Sequence, residues 1–216
     1  MAGPYIQTTE WPAYIFQGQA YDLGHLNEFE FEMEDTSRTK RSIVVTFSDH
    51  VFTRDAADDD DPQHAFPNST REPPGHFCLR RYRHSLTIRD IILWCAKGEV
   101  WMMTGDDRYG QIPTVDEEGS LSFYAIVFSL EKAKGMPFSL HMRVRTAFPC
   151  DRDPPDTFGS VKFKHLVELR VKNKRPPKGY DRKRRKPTLG TPFQKRENAI
   201  QLLALNATAT DDAKIA

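Results

Sequence analysis

The sequence predicts an α+β domain in which a curved antiparallel β-sheet packs on one principal helix. Three stretches carry that expectation. Residues 122–130 (SFYAIVFSL) are apolar on both sides of a strand through Phe123, Tyr124, Ile126, Val127, Phe128 and Leu130, as suits a central strand covered on each face. Residues 138–147 alternate instead, with Phe138, Leu140, Met142 and Val144 pointing one way and His141, Arg143 and Arg145 the other. Residues 86–97 (LTIRDIILWCAK) set Ile88, Ile91, Ile92 and Cys95 at helical spacing, with Ser85 placed as a cap and Gly98 as a stop.

The remaining elements follow in chain order. Residues 1–24 read as an irregular arm whose Trp11, Tyr14, Ile15 and Phe16 can pack across a sheet edge. Residues 26–33 (LNEFEFEM) alternate Phe29, Phe31 and Met33 against Glu28, Glu30 and Glu32, a strand with one wet face. The β-branched run 42–48 (SIVVTFS) pairs with it as an antiparallel hairpin and leads into polar FSDHVFTR at 47–54. Residues 55–75 form a mobile acidic loop whose Asp, Pro, Asn and Ser content gives it no core. Residues 76–84 (HFCLRRYRH) read as a short strand, and 99–104 as another. A turn is expected at 105–110, then a strand at 111–115. After the Pro/Asp loop 149–157, residues 161–171 (VKFKHLVELRV) read as an edge strand in preference to a short helix. The core domain thus spans 1–172. A basic, Pro-rich linker follows at 173–192, then an amphipathic C-terminal helix at 193–206, in a basic and partly disordered tail.

Composition narrows the function classes. With 216 residues, 38% hydrophobic and 28% charged, the chain suits one domain plus tails in a soluble protein with disordered segments. No apolar run approaches the roughly 20 residues a bilayer span needs, and the N-terminus has neither a basic region nor an apolar core of a secretory signal. Three cysteines, an odd number without CxxC spacing, point to reduced thiols in a cytoplasmic setting. Net charge is only +1, but residues 55–61 hold five aspartates while 172–186 hold nine Lys/Arg, Lys183, Arg184 and Arg185 among them. Such a basic block meets nucleic acid, RNA before DNA, or an acidic protein, and no membrane. HExxH, GxSxG, a Gly-rich phosphate loop and an EF-hand pattern are all missing from the sequence. No metal or cofactor is therefore expected.

Three groups of residues carry the chemistry. His141, Arg143 and Arg145, extended by Thr146, form a ladder of donors suited to a phosphate, or else the solvated face of a one-sided strand. His50 at a strand end suits a general base, or a loop histidine bonded to backbone; Asp49 beside it would point away. Arg81 and Arg83 share one face of the 76–84 strand, and Arg80, Tyr82 and His84 the other. Cations interleaved with an aromatic in this way suit a nucleotide, or merely balance the acidic loop.

The segments FSDHVFTR, RRYRHS and YAIVFSLEKAKGMPFSLHMRVRTAF resemble small uncharacterised proteins of bacterial mobile elements and prophages that are linked to heat shock or growth adaptation. The last is also similar in layout to the barnase/EndoU/RelE-like RNase group, in which an antiparallel meander carries scattered His, Arg, Tyr and Thr/Ser that cleave RNA without a metal. The resemblance covers residues 21–172 as a pattern. It implies His50 as base or acid with His141 as its partner, Arg81 and Arg143 or Arg145 as a phosphate clamp, and Tyr124 or Thr146 as supporting groups. Two readings therefore stand: a non-enzymatic nucleic-acid-binding or interference module of a mobile element or phage, and a metal-independent, toxin-like RNase acting by 2′-hydroxyl attack.

Overall fold

The computed structural model describes residues 10–57, 60–69, 71–103, 107–115, 121–150 and 159–176. The linker beyond 176, with Lys183, Arg184 and Arg185, and the helix expected at 193–206 lie outside the described residues. Strands β3 (Phe29–Glu34) and β4 (Lys40–Phe47) make the expected hairpin, with Phe29 opposite Val45 and Phe31 opposite Ile43. A meander of β7 (Glu99–Met102), β8 (Asp107–Val115), β9 (Leu121–Lys132) and β10 (Leu140–Cys150) supplies the centre, and β11 (Ser160–Lys162) adds to β7. The resulting seven-stranded sheet runs β11-β7-β8-β9-β10-β4-β3, so the apolar 122–130 run lies in its middle strand. Every neighbouring pair in it is antiparallel except β4 and β10, which run parallel.

The α+β class is as the sequence predicts, but the described residues hold three α-helices, not one: α1 (Leu79–Ser85), α2 (Ile88–Lys97) and α3 (Phe163–Val171). The strand expected at 76–84 is reduced to β6 (His76–Phe77), which pairs with β5 (Thr53–Arg54). Beyond it the chain turns helical because Leu79 and Tyr82, three apart, both pack on the core while Arg80 and Arg83 stay exposed. Ser85 does not cap α2; it ends α1, its Oγ donating to the Tyr82 carbonyl at 2.7 Å, and Thr87 precedes α2. The edge strand expected at 161–171 is also corrected. Phe163, Leu166 and Val167 are buried at helical spacing, so only Ser160–Lys162 is extended. Strand β8 begins at Asp107, inside the expected turn.

Helices α2 and α3 cover one sheet face, burying Ile88, Ile91, Ile92, Phe163, Leu166 and Val167 on the inward residues of β4, β9 and β10. Gly110 of β8 lies against α2: a Cβ there would sit 2.7 Å from Cys95 Sγ, whose thiol burial pushes up to about 12. The arm is more regular than expected. β1 (Tyr14–Phe16) and β2 (Gln19–Tyr21) form a hairpin through Gln17 (φ 50°) and Gly18 (φ 80°), both left-handed as a two-residue turn requires. Phe16 and Tyr21 each lie 5.0 Å from the Phe77 ring, and Tyr14 meets Phe66 edge-on at 5.3 Å. The 55–75 segment does own a core residue: Phe66 is 2% exposed, packs edge-on to Phe52 at 5.0 Å, and its N–H donates to the Gly75 carbonyl at 2.7 Å.

The arm is tied to the helices by His25 and Arg89. His25 Nε2 lies 2.7 Å from Ser85 Oγ, and Arg89 donates to the His25 and Asn27 carbonyls at 2.9 and 2.8 Å. Burial, with Asp22 opposing and Arg89 assisting, holds the His25 imidazole at about 4. The unfolded chain therefore binds this proton more tightly than the fold does. Stability should be flat above pH 6.5 and fall by up to about 3 kcal/mol as pH drops toward 4, in urea titrations that His25→Gln flattens. Gly110→Ala should lower stability by about 1–3 kcal/mol through overpacking against Cys95, read from the same titrations at pH 7.

Candidate functional site

The site grows out of the place where β4 and β10 part. Their parallel pairing ends at Phe47 opposite Val144, after which the Ser48 N–H donates to the Val144 carbonyl at 3.0 Å and the Ser48 hydroxyl bonds the Arg145 carbonyl. A single 3-10 turn, Asp49–Val51, then rolls along β10. Its His50 carbonyl collects two donors, Arg81 Nη1 at 2.9 Å and Thr146 Oγ1 at 3.3 Å, and the same Arg81 nitrogen reaches the Thr53 carbonyl at 2.7 Å. Arg81 also lies over the Phe148 ring, 5.5 Å from its centre. Burial lowers the Arg81 guanidinium without discharging it.

A buried carboxylate steadies this turn from beneath. Asp49, 2% exposed, accepts Ser69 Oγ at 2.6 Å and Arg71 Nε at 3.4 Å on one oxygen. Arg71 also donates to Thr53 Oγ1 at 2.8 Å and to Asp55 Oδ1 at 2.7 Å, and Asp55 Oδ1 stands 3.7 Å from His50 Nε2. The His50 Nε2 and Asp49 Oδ1 atoms are buried without a hydrogen-bond partner. Burial first, then the Arg71 and Arg81 cations, push the His50 pKa down, so the imidazole is neutral at pH 7. Asp49 and His50 lie on the 3-10 turn and not on a strand, and the Asp49 charge reaches the imidazole. Arg71 and Asp55, which complete the network, carry no signal in the sequence, because a loop arginine and one aspartate of an acidic run look like solvated charge.

On the adjoining strand, His141 Nε2 is 2.7 Å from Thr46 Oγ1, and burial, aided by Arg143 and opposed by Glu131, lowers it too. Arg143 and Arg145 are exposed on the face away from α2 and α3, and Phe148 lies on that face as well. A bulge between Val144 and Thr146 makes Arg145 the extra residue and brings Thr146 onto the Arg143 side. The ladder His141, Arg143, Arg145, Thr146 therefore shares one face despite its broken alternation.

The expected residues divide into groups. His50, Arg81 and Thr146 meet at the His50 carbonyl, with Arg145 next to Thr146. His141 does not join that carbonyl and is bonded to Thr46 instead. Its place on β10 is five residues before Thr146, about 15 Å at a strand's rise, and the charges acting on the two imidazoles are different ones. Arg83 does not share a face with Arg81 as a strand would require: on helix α1 two residues turn the side chain to nearly the opposite side, and Arg83 is exposed. Tyr124 is fully buried on the helix-facing side of β9, its ring stacked on His84 at 5.8 Å, and burial drives its hydroxyl pKa upward. It gives no supporting group to the outer face. Among the described residues no three His, Cys, Asp or Glu side chains cluster as metal ligands.

The model of the YjaZ family matches residues 13–171, and the chain belongs to that family. No curated protein and no solved structure matches it. The geometry separates holding from display. Arg81→Ala should cost about 2–3 kcal/mol in chemical denaturation, since two carbonyls lose their donor, whereas Arg143→Ala and Arg145→Ala should stay within about 0.5 kcal/mol.

Proposed function

We propose that this YjaZ-family chain is a non-enzymatic RNA-binding module of a bacterial mobile element or phage, acting in the cytoplasm. The observation that carries the reading is the single outer face of β10, where exposed Arg143 and Arg145 stand with half-buried His141 and Thr146 beside the His50 turn. Arg143 and Arg145, exposed on that face, are the phosphate contacts, since a guanidinium can meet phosphoryl oxygens bidentately. The neutral imidazoles and the Thr146 hydroxyl suit a ribose 2′-hydroxyl, which favours RNA over DNA. Arg81 is committed to two carbonyls, so it positions the turn and does not clamp substrate. Lys183, Arg184 and Arg185 add counterion release, which raises affinity without reading sequence. Unpaired Cys78 and Cys95 fit a reducing compartment, and among the described residues no helix is long and apolar enough to cross a membrane.

The RNase reading has one observation in its favour: His50 Nε2 is unpartnered and its pKa is lowered, as a base at pH 7 requires. Cleavage by 2′-hydroxyl attack also needs an acid for the leaving oxygen on the same phosphate. His141 Nε2 is bonded to Thr46, and none of the charges acting on His141 is one that acts on His50, which does not favour its serving the same phosphate. Binding is therefore the stronger of the two.

Gel shifts of labelled single-stranded RNA and DNA across a salt series test this. Arg143→Ala and Arg145→Ala together should weaken RNA binding and lower the slope of log affinity against log salt by about 1.4, or about 0.7 per lost phosphate contact. Removal of residues 173–216 should lower it further. Binding indifferent to salt and to these changes, or confined to acidic protein, would rule the reading out. RNA fragments with cyclic-phosphate ends after incubation in EDTA, lost in His50→Ala, would replace it with the RNase.

A further inference from the structure

We propose that the outer face of β3 is a docking strip for the chain's own basic segment, residues 172–186, held there when no RNA is bound. Strand β3 lies at the sheet edge and turns Phe29, Phe31 and Met33 inward, leaving Glu30, Glu32 and Glu34 exposed in a row on the outer face. Across β4 these carboxylates face Val44, Ser42 and Lys40, so the facing positions of β4 offer them one cation; the Ser42 hydroxyl bonds Glu30. Surface carboxylates this close repel one another, and a basic chain laid along them relieves that repulsion.

Such a chain leaves the fold at that spot. Near the end of α3, Glu168 accepts a hydrogen bond from Ser37 in the β3–β4 turn and lies within electrostatic reach of Asp35. Lys172 follows one turn later, and the chain reverses through Asn173 (φ 53°), where the Lys174 N–H donates to the Leu169 carbonyl at 2.8 Å. Lys172 pairs with that Glu168, and Lys174 and Arg175 are exposed just after it, so the basic chain starts from the helix end that meets the β3–β4 turn. The eight residues from Pro176 to Lys183 extend to about 26 Å, and six-residue β3 is about 20 Å long, so the cations reach along most of the strip. One strand, β4, separates this strip from the Arg143–Arg145 ladder, a distance of about 10 Å. The docked segment therefore withholds its charges beside the surface where RNA would use them. The competition rests on the RNA-binding reading; the docking does not.

Limited trypsin digestion of the full chain at low salt reads the docking directly, by cleavage at Lys183, Arg184 and Arg185. Glu30→Gln/Glu32→Gln/Glu34→Gln should speed that cleavage about threefold or more, and the difference should vanish near 0.5 M salt, where screening acts within about 4 Å. Equal rates in the two proteins at low salt would overturn the docking and leave the glutamates as guards of a sheet edge. The triple variant should also bind RNA several-fold more tightly, and adding Lys183→Gln/Arg184→Gln/Arg185→Gln should erase the gain. A gain that survives those changes would overturn the competition, because the glutamates would then act by repelling RNA themselves. Faster cleavage with no RNA binding by any protein would support the docking and remove the RNA reading instead.

Discussion

The parallel pairing of β4 with β10 is the constraint on which the rest of this structure depends. The β3–β4 hairpin and the β7–β10 meander are each local and antiparallel, and this pairing of residues 43–47 with 140–144 joins them into one sheet. Parallel neighbours need a long connection. Here that connection contains the acidic loop, α1 and α2, which pack on the face the sheet must bury. Ile43 and Leu140 come into register because both turn the same apolar set toward α2 and α3.

Where that pairing stops, the backbone needs other partners, and the site consists largely of the groups that supply them. Ser48 serves the Val144 and Arg145 carbonyls, and Arg81 and Thr146 serve the carbonyl of His50. Asp49 is taken into the interior and matched there by Arg71, because a buried carboxylate without a cation is costly. The same network draws 66–75 against the body through Ser69, Arg71 and Phe66. A segment with loop composition is in this way bound to the fold by one aromatic ring and one guanidinium.

The outer sheet face is divided by charge. Strand β3 presents glutamates, β4 is nearly neutral, and β10 presents His141, Arg143 and Arg145. Neither stripe is required by the main core, whose apolar residues project from the opposite face, and the smaller apolar cluster of Trp101, Ala125, Val127 and Phe148 lies elsewhere on the outer face. Net charge near zero therefore describes the chain poorly: separated stripes of opposite sign create local fields that a sum conceals.

Period-two alternation made the β3–β4 hairpin and both faces of β10 legible from residues alone, and the Ile88, Ile91, Ile92, Cys95 stripe did the same for α2. In those stretches burial on one side leaves a regular trace. Residues 79–85 and 163–171 left an ambiguous one: seven or nine residues with interspersed cations satisfy a strand's period nearly as well as a helix's. The choice fell to Tyr82 packing on Tyr21 of the arm and Leu79 on the core, and to Phe163 and Leu166 packing under the sheet. The chain by itself determined which residues are inward and which carry charge. Tertiary structure alone decided which charges meet, because the bulge at Arg145, the turn at His50 and the different partners of His50 and His141 arise from pairings between distant segments. Local spacing holds no record of those.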